Sequence, residues 1–204
     1  MRVLFLAPQP FYRERGTPIA VDLVVRVLAR RGDAVDILTY PEGEERSYQG
    51  NVRICRVNPV LPVANIRPGL SLKKVICDIS MFYAAQAMVR RNNYDVVHAV
   101  EESVFIAMSI RKLYGVPYIY DMDSSMPRQM VESHSVMKPF LPFLTRVERA
   151  AIRGAASVVP VSGSLARQAR ETGASDVRIL RDIPLTERPG AKDEEEDAGA
   201  LPDG

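Results

Sequence analysis

Tryptophan is absent from this sequence, and cysteine and histidine are scarce, with two residues of each. Neither a CxxC pair nor a cluster of cysteine and histidine occurs, which argues against a structural zinc site. We therefore expect Cys55 and Cys77 to be reduced, buried thiols of a cytoplasmic protein. Long apolar runs are also absent, so no membrane-spanning helix is predicted. The apolar residues 2–7 are too few for the core of a secretory signal.

The sequence also lacks the short motifs that mark three common classes of α/β enzyme. Gly16 is the one glycine in the loop after the first apolar run, so there is no GxGxxG there, and neither a Walker A sequence nor GxSxG occurs. These absences argue against a dehydrogenase, a P-loop NTPase and an α/β-hydrolase, respectively. A dinucleotide-binding oxidoreductase is kept as a distant alternative.

Charge is distributed unevenly along the 204 residues, although the net charge is only +2. Residues 191–204 carry six acids and one base, whereas residues 1–190 carry a net charge of +7. A basic body suits anionic ligands such as phosphates, nucleotides or an anionic lipid surface. No nucleic acid is expected as a partner, because the bases are scattered and no recognised binding motif accompanies them. Residues 186–204 are predicted to be a disordered acidic tail or linker.

Short apolar runs alternate with helical patterns along residues 1–185, and the runs are continuously apolar, as strands buried on both faces are. The predicted strands are residues 2–7, 34–39, 52–57, 95–100, 116–123, 157–162 and 177–183. The predicted helices are residues 19–31, 72–91, 102–113, 138–153 and 163–172. This order predicts one α/β domain with a doubly wound, mostly parallel, Rossmann-like sheet of about seven strands.

The predicted helix over residues 72–91 is expected to bury one apolar face, formed by Leu72, Val75, Ile76, Ile79, Phe82 and Tyr83. Bases cluster around this helix and around the helix at 138–153, beside Phe140, Leu141, Phe143 and Leu144. They are Arg67, Lys73, Lys74, Arg90, Arg91, Lys138, Arg146, Arg149 and Arg153. Such groups suit peripheral contact with the inner face of an anionic membrane, and two solvated helix faces explain the same pattern.

The loop after the first predicted strand carries three candidate binding residues, because ligands of such sheets bind at the carboxyl ends of the strands. Gly16 lets a ligand approach the backbone closely, and Thr17 lies where the following helix offers free N–H groups to a diphosphate. Arg15 adds positive charge beside them. A capped turn with solvated charges is the plain alternative.

The ends of two further predicted strands carry ionisable residues. His98 and Glu101 follow one strand and are suited to acid–base work, although a half-buried histidine and a helix-starting acid explain them equally. Asp121 and Ser124 lie at the end of the next strand. Asp121 and Asp123 together spell DxD, but three letters make a weak signal, so we expect a loop-shaping or substrate-contacting role and no metal.

Several of these segments, taken in order, resemble the amino-terminal domain of family 4 glycosyltransferases, which have the two-domain GT-B fold. They are the RGTP of residues 15–18, DILTYPEGEE, YDVVHAVEES, GVPYIYDMDSSMP and ASVVPVSGSLA. The resemblance covers about residues 1–185. It implies retaining sugar transfer from a nucleotide-sugar to a sugar or lipid-linked acceptor, without an obligatory metal or another cofactor.

The resemblance also implies roles for individual residues. Gly16 and Thr17 match the loop that faces the donor phosphates, and Glu101 matches the carboxylate after the fourth strand. Asp121 and Ser124 match the loop near the active site. Glu101 and Asp121 are therefore the candidate catalytic residues, whereas Arg15, Gly16, Thr17, His98 and Ser124 are candidates for binding the diphosphate or the substrate.

Two positions depart from the family pattern, since Val100 and Asp123 stand where relatives commonly have histidine. The carboxyl-terminal domain that holds most of the donor is also missing, so we expect the chain to be inactive alone. One hypothesis is half of an enzyme, completed by a donor-binding protein partner. The other is a pseudoenzyme or binding module that docks a partner transferase or a lipid-linked acceptor.

Overall fold

The strands form where the apolar runs are uninterrupted, and the helices form between them. The structure is a computed structural model that describes residues 1–13, 16–59, 71–127 and 135–181. The strands are β1 (Arg2–Ala7), β2 (Ala34–Thr39), β3 (Val52–Arg56), β4 (Val96–Val100), β5 (Tyr118–Met122) and β6 (Ser157–Pro160). The main helices are α1 (Gly16–Arg30), α2 (Leu72–Arg91), α3 (Val104–Tyr114), α4 (Leu141–Gly154) and α5 (Gly163–Thr172). Short 3-10 turns span Glu101–Ser103 and Ser135–Phe140.

The six strands form one sheet in the order β3-β2-β1-β4-β5-β6, and every neighbouring pair is parallel. This is the strand order of a Rossmann-like fold, so the predicted fold class is confirmed. The central strands β1 and β4 are buried along almost their whole length, as their apolar sequences predict, and β2 is buried to the same extent as β1.

The seventh predicted strand, at residues 177–183, is not a full strand in its described part. A single bridge joins Val177 to Val158, and the amides of Arg178 and Leu180 donate to the carbonyls of Val158 (3.0 Å) and Pro160 (3.1 Å). The strand β6 beside it has only four residues and ends at Pro160, so it offers a short edge for pairing.

Helix ends follow the capping residues. The hydroxyl of Ser71 accepts a hydrogen bond from the amide of Lys74 (3.2 Å) at the start of α2, and Ser162 does the same for Leu165 at the start of α5. The helix α3 ends at Gly115, whose φ is +75°, a value that favours glycine. The helix α1 begins at Gly16, three residues earlier than predicted.

Two apolar layers cover the sheet. On one side, α1 and the loop after β1 pack on Val3, Phe5 and Val35. On the other side, the layer of α2, α3, α4 and α5 packs on Leu4, Leu6 and their neighbours. Every strand except β2, which is followed by β3, precedes a helix in the chain, so the amino ends of α1 to α5 share the carboxyl edge of the parallel sheet.

The apolar face predicted for α2 is wrong for four of its six residues, whereas Ile76 is half-buried and Phe82 packs, partly buried, against the core. The buried residues of α2 are Cys77, Met81, Ala85 and Val89, whereas Leu72, Val75, Ile79 and Tyr83 are exposed. Both rows are apolar and both follow helical spacing, so periodicity alone did not distinguish them. Cys77 is a buried free thiol, as predicted, and burial raises its pKa to about 11, whereas Cys55 is only half-buried.

Candidate functional site

The carboxyl edge of the sheet has one switch point, between β1 and β4, where the chain leaves the sheet in opposite directions. The hydroxyl of Ser103 bridges the two strands there, because it donates to the carbonyl of Val100 at 2.7 Å and lies 3.2 Å from that of Leu6. The loop after β1 and the turn after β4 therefore face a common space at this edge.

Glu101 stands at this switch point in an unusual backbone conformation. Its φ is +48°, in the left-handed region that a residue with a side chain rarely adopts. Burial, together with repulsion from the neighbouring carboxylates of Glu102 and Asp123, raises the pKa of its carboxyl group to about 7. A carboxyl group of this kind exchanges a proton near neutral pH, which is the property a general acid or base needs.

Two side chains of α2 make polar contacts at this edge, one with Glu102, the neighbour of Glu101, and one with the segment after β2. The ammonium group of Lys74 forms an ion pair with Glu102. The hydroxyl of Tyr40, next to the end of β2, donates a hydrogen bond to Asp78. Burial raises the pKa of Asp78 to about 6, although its bond to Tyr40 works in the other direction. The site thus holds an excess of carboxyl groups around one lysine.

Sequence reasoning missed this use of α2. Lys74 was assigned to a basic surface group, but its side chain is only 19% exposed and turns towards Glu102. Asp78 and Tyr40 were not singled out at all. The signal that could have found them is the i, i+4 spacing of Lys74 and Asp78, which puts both on one side of the helix.

His98 and Asp121 form a buried pair on the α1 side of the sheet. The Nε2 atom of His98 lies 3.1 Å from a carboxylate oxygen of Asp121, and the imidazole ring stacks on Phe5 with ring centres 4.3 Å apart. The structure therefore brings together a candidate binding residue and a candidate catalytic residue. Both side chains are almost fully buried, and their contact joins the neighbouring strands β4 and β5.

Ser124 follows β5 in a loop whose next two residues donate hydrogen bonds to Glu148 of α4. One oxygen of Glu148 accepts from the amide of Met126 (3.0 Å), and the other accepts from the hydroxyl of Ser125 (3.2 Å) and the amide of Gln168 (3.3 Å). Glu148 is 3% exposed. It was also missed from the sequence, where it looks like one acid among the bases of α4.

Gly16 and Thr17 form the open amino end of α1. A side chain added at Gly16 would meet no atom of the described residues within 4 Å, so packing among those residues does not require glycine there. Close approach of a ligand to the backbone would require it. Arg15 lies outside the described residues. The nearby Arg13 is paired with Glu42 at 2.7 Å.

The loop that leads to α1 is held by the segment after β2. The amides of Phe11 and Tyr12 donate to the carbonyls of Glu42 and Glu44, both at 3.2 Å, and the amide of Glu44 donates back to Tyr12 at 2.9 Å. Gly43 has φ +133°, and an added Cβ would lie 2.0 Å from the carbonyl oxygen of Phe11. Glycine is therefore required at this crossing.

Within the described residues, no three His, Cys, Asp or Glu side chains are arranged to hold a metal ion. In the same part of the chain, no helix is long and apolar enough to cross a bilayer.

The family described as "Glycosyl transferase 4-like domain" matches residues 15–181. No curated protein matches the sequence. Among solved structures, sucrose-phosphate synthase from Thermosynechococcus elongatus has a TM-score of 0.67 at 16% identity, with 88% of this chain and 47% of that chain covered. MurG from Acinetobacter baumannii has a TM-score of 0.52 at 14% identity, with 94% and 47% covered.

The Arabidopsis thaliana protein UGT89C1, in a complex with UDP-L-rhamnose, has a TM-score of 0.52 at 14% identity, with 91% of this chain and 52% of that chain covered. At these identities the likeness is one of fold. The chain spans about half the length of these three structures.

Proposed function

The chain belongs to the family of glycosyl transferase 4-like domains, and on that premise we propose that it is the acceptor-side half of a retaining glycosyltransferase. In this proposal it acts on a nucleotide-sugar only together with a donor-binding domain, supplied by a further segment or by another protein. The observation that carries the proposal is the open amino end of α1 at Gly16, at the same edge of the sheet as Glu101. The half-length match to the three solved structures supports it.

The proposed chemistry is the departure of a nucleoside diphosphate from the donor sugar. The free N–H groups at Gly16 and Thr17, with Arg15 beside them, would stabilise the charge that develops on the diphosphate. No metal or other cofactor is part of the proposal. UDP is the first nucleotide to test, because a neighbour of the same fold is complexed with UDP-L-rhamnose.

Glu101 is the group proposed to contact the acceptor or the donor sugar. Its raised pKa suits a carboxyl group that gives or takes a proton near pH 7. Asp121 is proposed as a positioning residue that works through His98, and Ser124 as a hydroxyl contact for the substrate. The acceptor is proposed to be a sugar or a lipid-linked sugar.

We propose that residues 1–185 form the domain, that residues 186–204 form an acidic tail or linker, and that the protein works in the cytoplasm. The family match over residues 15–181 supports the first of these boundaries.

A binding module without catalysis is the second candidate, and Val100 is the observation that favours it. Its side chain is 1% exposed and packs in the apolar layer under α1, so it offers a substrate neither a hydrogen bond nor a proton. Asp123, which stands where relatives commonly have histidine, also favours a binding module. Such a module would dock a partner transferase or a lipid-linked acceptor.

UDP binding to the full chain tests the role of Gly16. We expect UDP to shift the amide NMR signals of Gly16 and Thr17, and Gly16→Ala to weaken this binding at least about tenfold, since a methyl group would stand where the phosphate approaches. Gly163→Ala is the matched control. It also opens a helix at the carboxyl edge, and an added side chain there likewise meets none of the described atoms within 4 Å. Equal effects of the two substitutions would contradict the proposal.

Sugar-nucleotide hydrolysis separates the two candidates. It is measured with the chain alone and with the chain plus a donor-binding domain encoded next to it. The enzyme proposal expects turnover only in the second mixture and an increase for Val100→His. No turnover in any mixture, including those with Val100→His, would contradict the enzyme proposal and favour the binding module.

A further inference from the structure

The exposed surface of the helical layer is apolar and basic at once. Most of the large apolar side chains exposed by the described residues lie on α2, on α3 and at the start of α4. On α2 they form one stripe, in which Leu72 is 77% exposed and Tyr83 is 68% exposed. At the start of α4, Phe140 and Phe143 are also more than half exposed. We call the exposed side chains of α2, α3 and residues 138–154 the outer helical face.

The charge of the outer helical face has one sign. Its exposed bases include Arg90, Arg91, Lys112, Arg146 and Arg149. The same segments contain two acids, Asp78 and Glu148, and neither belongs to the surface. Asp78 accepts the hydrogen bond from Tyr40, and Glu148 is 3% exposed beneath the loop after β5.

The three helices form one continuous surface, because α2 packs on α3 and α3 packs on α4. The apolar positions on α2 and α4 lie near the amino ends of these helices, so they lie at the carboxyl edge of the sheet, where Glu101 stands. A partner on this surface would therefore be adjacent to the candidate site.

We propose that the outer helical face binds the surface of an anionic lipid bilayer. Exposed phenylalanine and leucine side chains suit the boundary between headgroups and acyl chains, and the exposed bases of the same helices, among them Arg146 and Arg149 of the helix that carries Phe143, suit anionic headgroups. A second copy of the chain fits less well, because two basic surfaces repel each other. The acidic tail of this chain has the complementary charge but few apolar residues to cover the exposed ones.

This proposal does not depend on sugar transfer, because a module without catalysis would present the same surface. Lys74, which the sequence suggested as part of the basic group, plays no part in it, since it pairs with Glu102. The proposed membrane contact thus differs from the group that the sequence indicated, because it omits Lys74 and adds the exposed residues of α3, and Arg67 lies outside the described residues.

Vesicle co-sedimentation of the full chain tests the proposal. We expect binding to vesicles of phosphatidylcholine mixed with phosphatidylglycerol, little binding to pure phosphatidylcholine, and weaker binding at high salt. Arg146→Gln should weaken binding about fivefold, and addition of Arg149→Gln should bring the loss to about 25-fold, since each base near an anionic surface contributes about that factor. Phe143→Ser should weaken it about tenfold.

Matched controls lie on α1, on the other side of the sheet. Arg30→Gln makes the same chemical change at an exposed position, and Val27→Ser likewise replaces an exposed apolar side chain by a hydroxyl, so each should change vesicle binding less than twofold. Equal losses for the two sets would overturn the proposal, because the contact would then not be local to the outer helical face. So would equal binding to both vesicle types, or self-association of the chain without any vesicle binding.

Discussion

Replacement of Gly43 by alanine tests whether the loop before α1 is held in place by close backbone packing. The Cβ of alanine would lie 2.0 Å from the carbonyl oxygen and 2.3 Å from the carbonyl carbon of Phe11. Neither atom belongs to a flexible side chain, so one of the two loops must move. Gly43 also has φ +133°, which strains any residue with a side chain.

The expected loss of stability follows from these two effects. Backbone strain at such a φ value costs about 1–3 kcal/mol. Separation of the loops also loosens the bonds from the amides of Phe11 and Tyr12 to the carbonyls of Glu42 and Glu44, each worth about 0.5–1.5 kcal/mol. We expect the free energy of unfolding to fall by about 3–5 kcal/mol, a large share of the usual total.

Urea unfolding monitored by circular dichroism measures this change, and Gly32→Ala provides the control. Gly32 also has a positive φ, +85°, but an added Cβ there would meet none of the described atoms within 4 Å. Only the strain then remains, at about 1–2 kcal/mol. If the two substitutions cost the same within about 0.5 kcal/mol, the packing argument is refuted, because the clash with Phe11 would contribute nothing.

Two further predictions concern carboxyl groups at the carboxyl edge. Glu148→Gln should lower the free energy of unfolding by about 2–3 kcal/mol, because it weakens hydrogen bonds to a buried charge. As the control in the same urea experiment, Glu171→Gln at an exposed position of α5 should change it by less than about 0.5 kcal/mol. The pKa of Glu101 is raised from 4.5 to about 7 on folding, so its contribution to stability is fully present below pH 4.5 and is lost as the pH rises through 7. Glu101→Gln should therefore remove on the order of 3 kcal/mol of this decline, and a decline of unchanged size in the variant would contradict the raised pKa.

The strands were predictable because their residues are apolar whichever sheet they join. In the central strands at residues 2–7 and 95–100, polar and apolar residues do not alternate, so the local sequence is enough to predict that both faces are buried. The last segment, near residue 177, was not predictable as a partial strand. Its pairing depends on how far β6 extends, and β6 ends at Pro160.

The candidate site was predictable where it follows strand ends and not where it depends on contacts distant in sequence. Glu101 and Asp121 end apolar strands, so their place at the carboxyl edge follows from the topology. Gly43 and Phe11 meet across 32 positions of the chain, and nothing in either loop specifies the other. The pairing of His98 with Asp121 likewise depends on the register of β4 and β5.

The rotation of α2 about its axis links the candidate site to the outer helical face. At 3.6 residues per turn, Lys74 and Asp78 fall on the same side as the buried row from Cys77 to Val89, and the stripe from Leu72 to Tyr83 falls opposite. An ordinary amphipathic orientation would bury the larger apolar residues and leave the ions in water. The observed rotation instead partly buries the ion pair of Lys74 and Glu102, which costs desolvation energy, and leaves four large apolar side chains in water, each at a cost of about 1–2 kcal/mol. Both costs are understandable if the inner side of α2 serves a polar site and its outer side serves an apolar partner, since either role alone would account for only one of them.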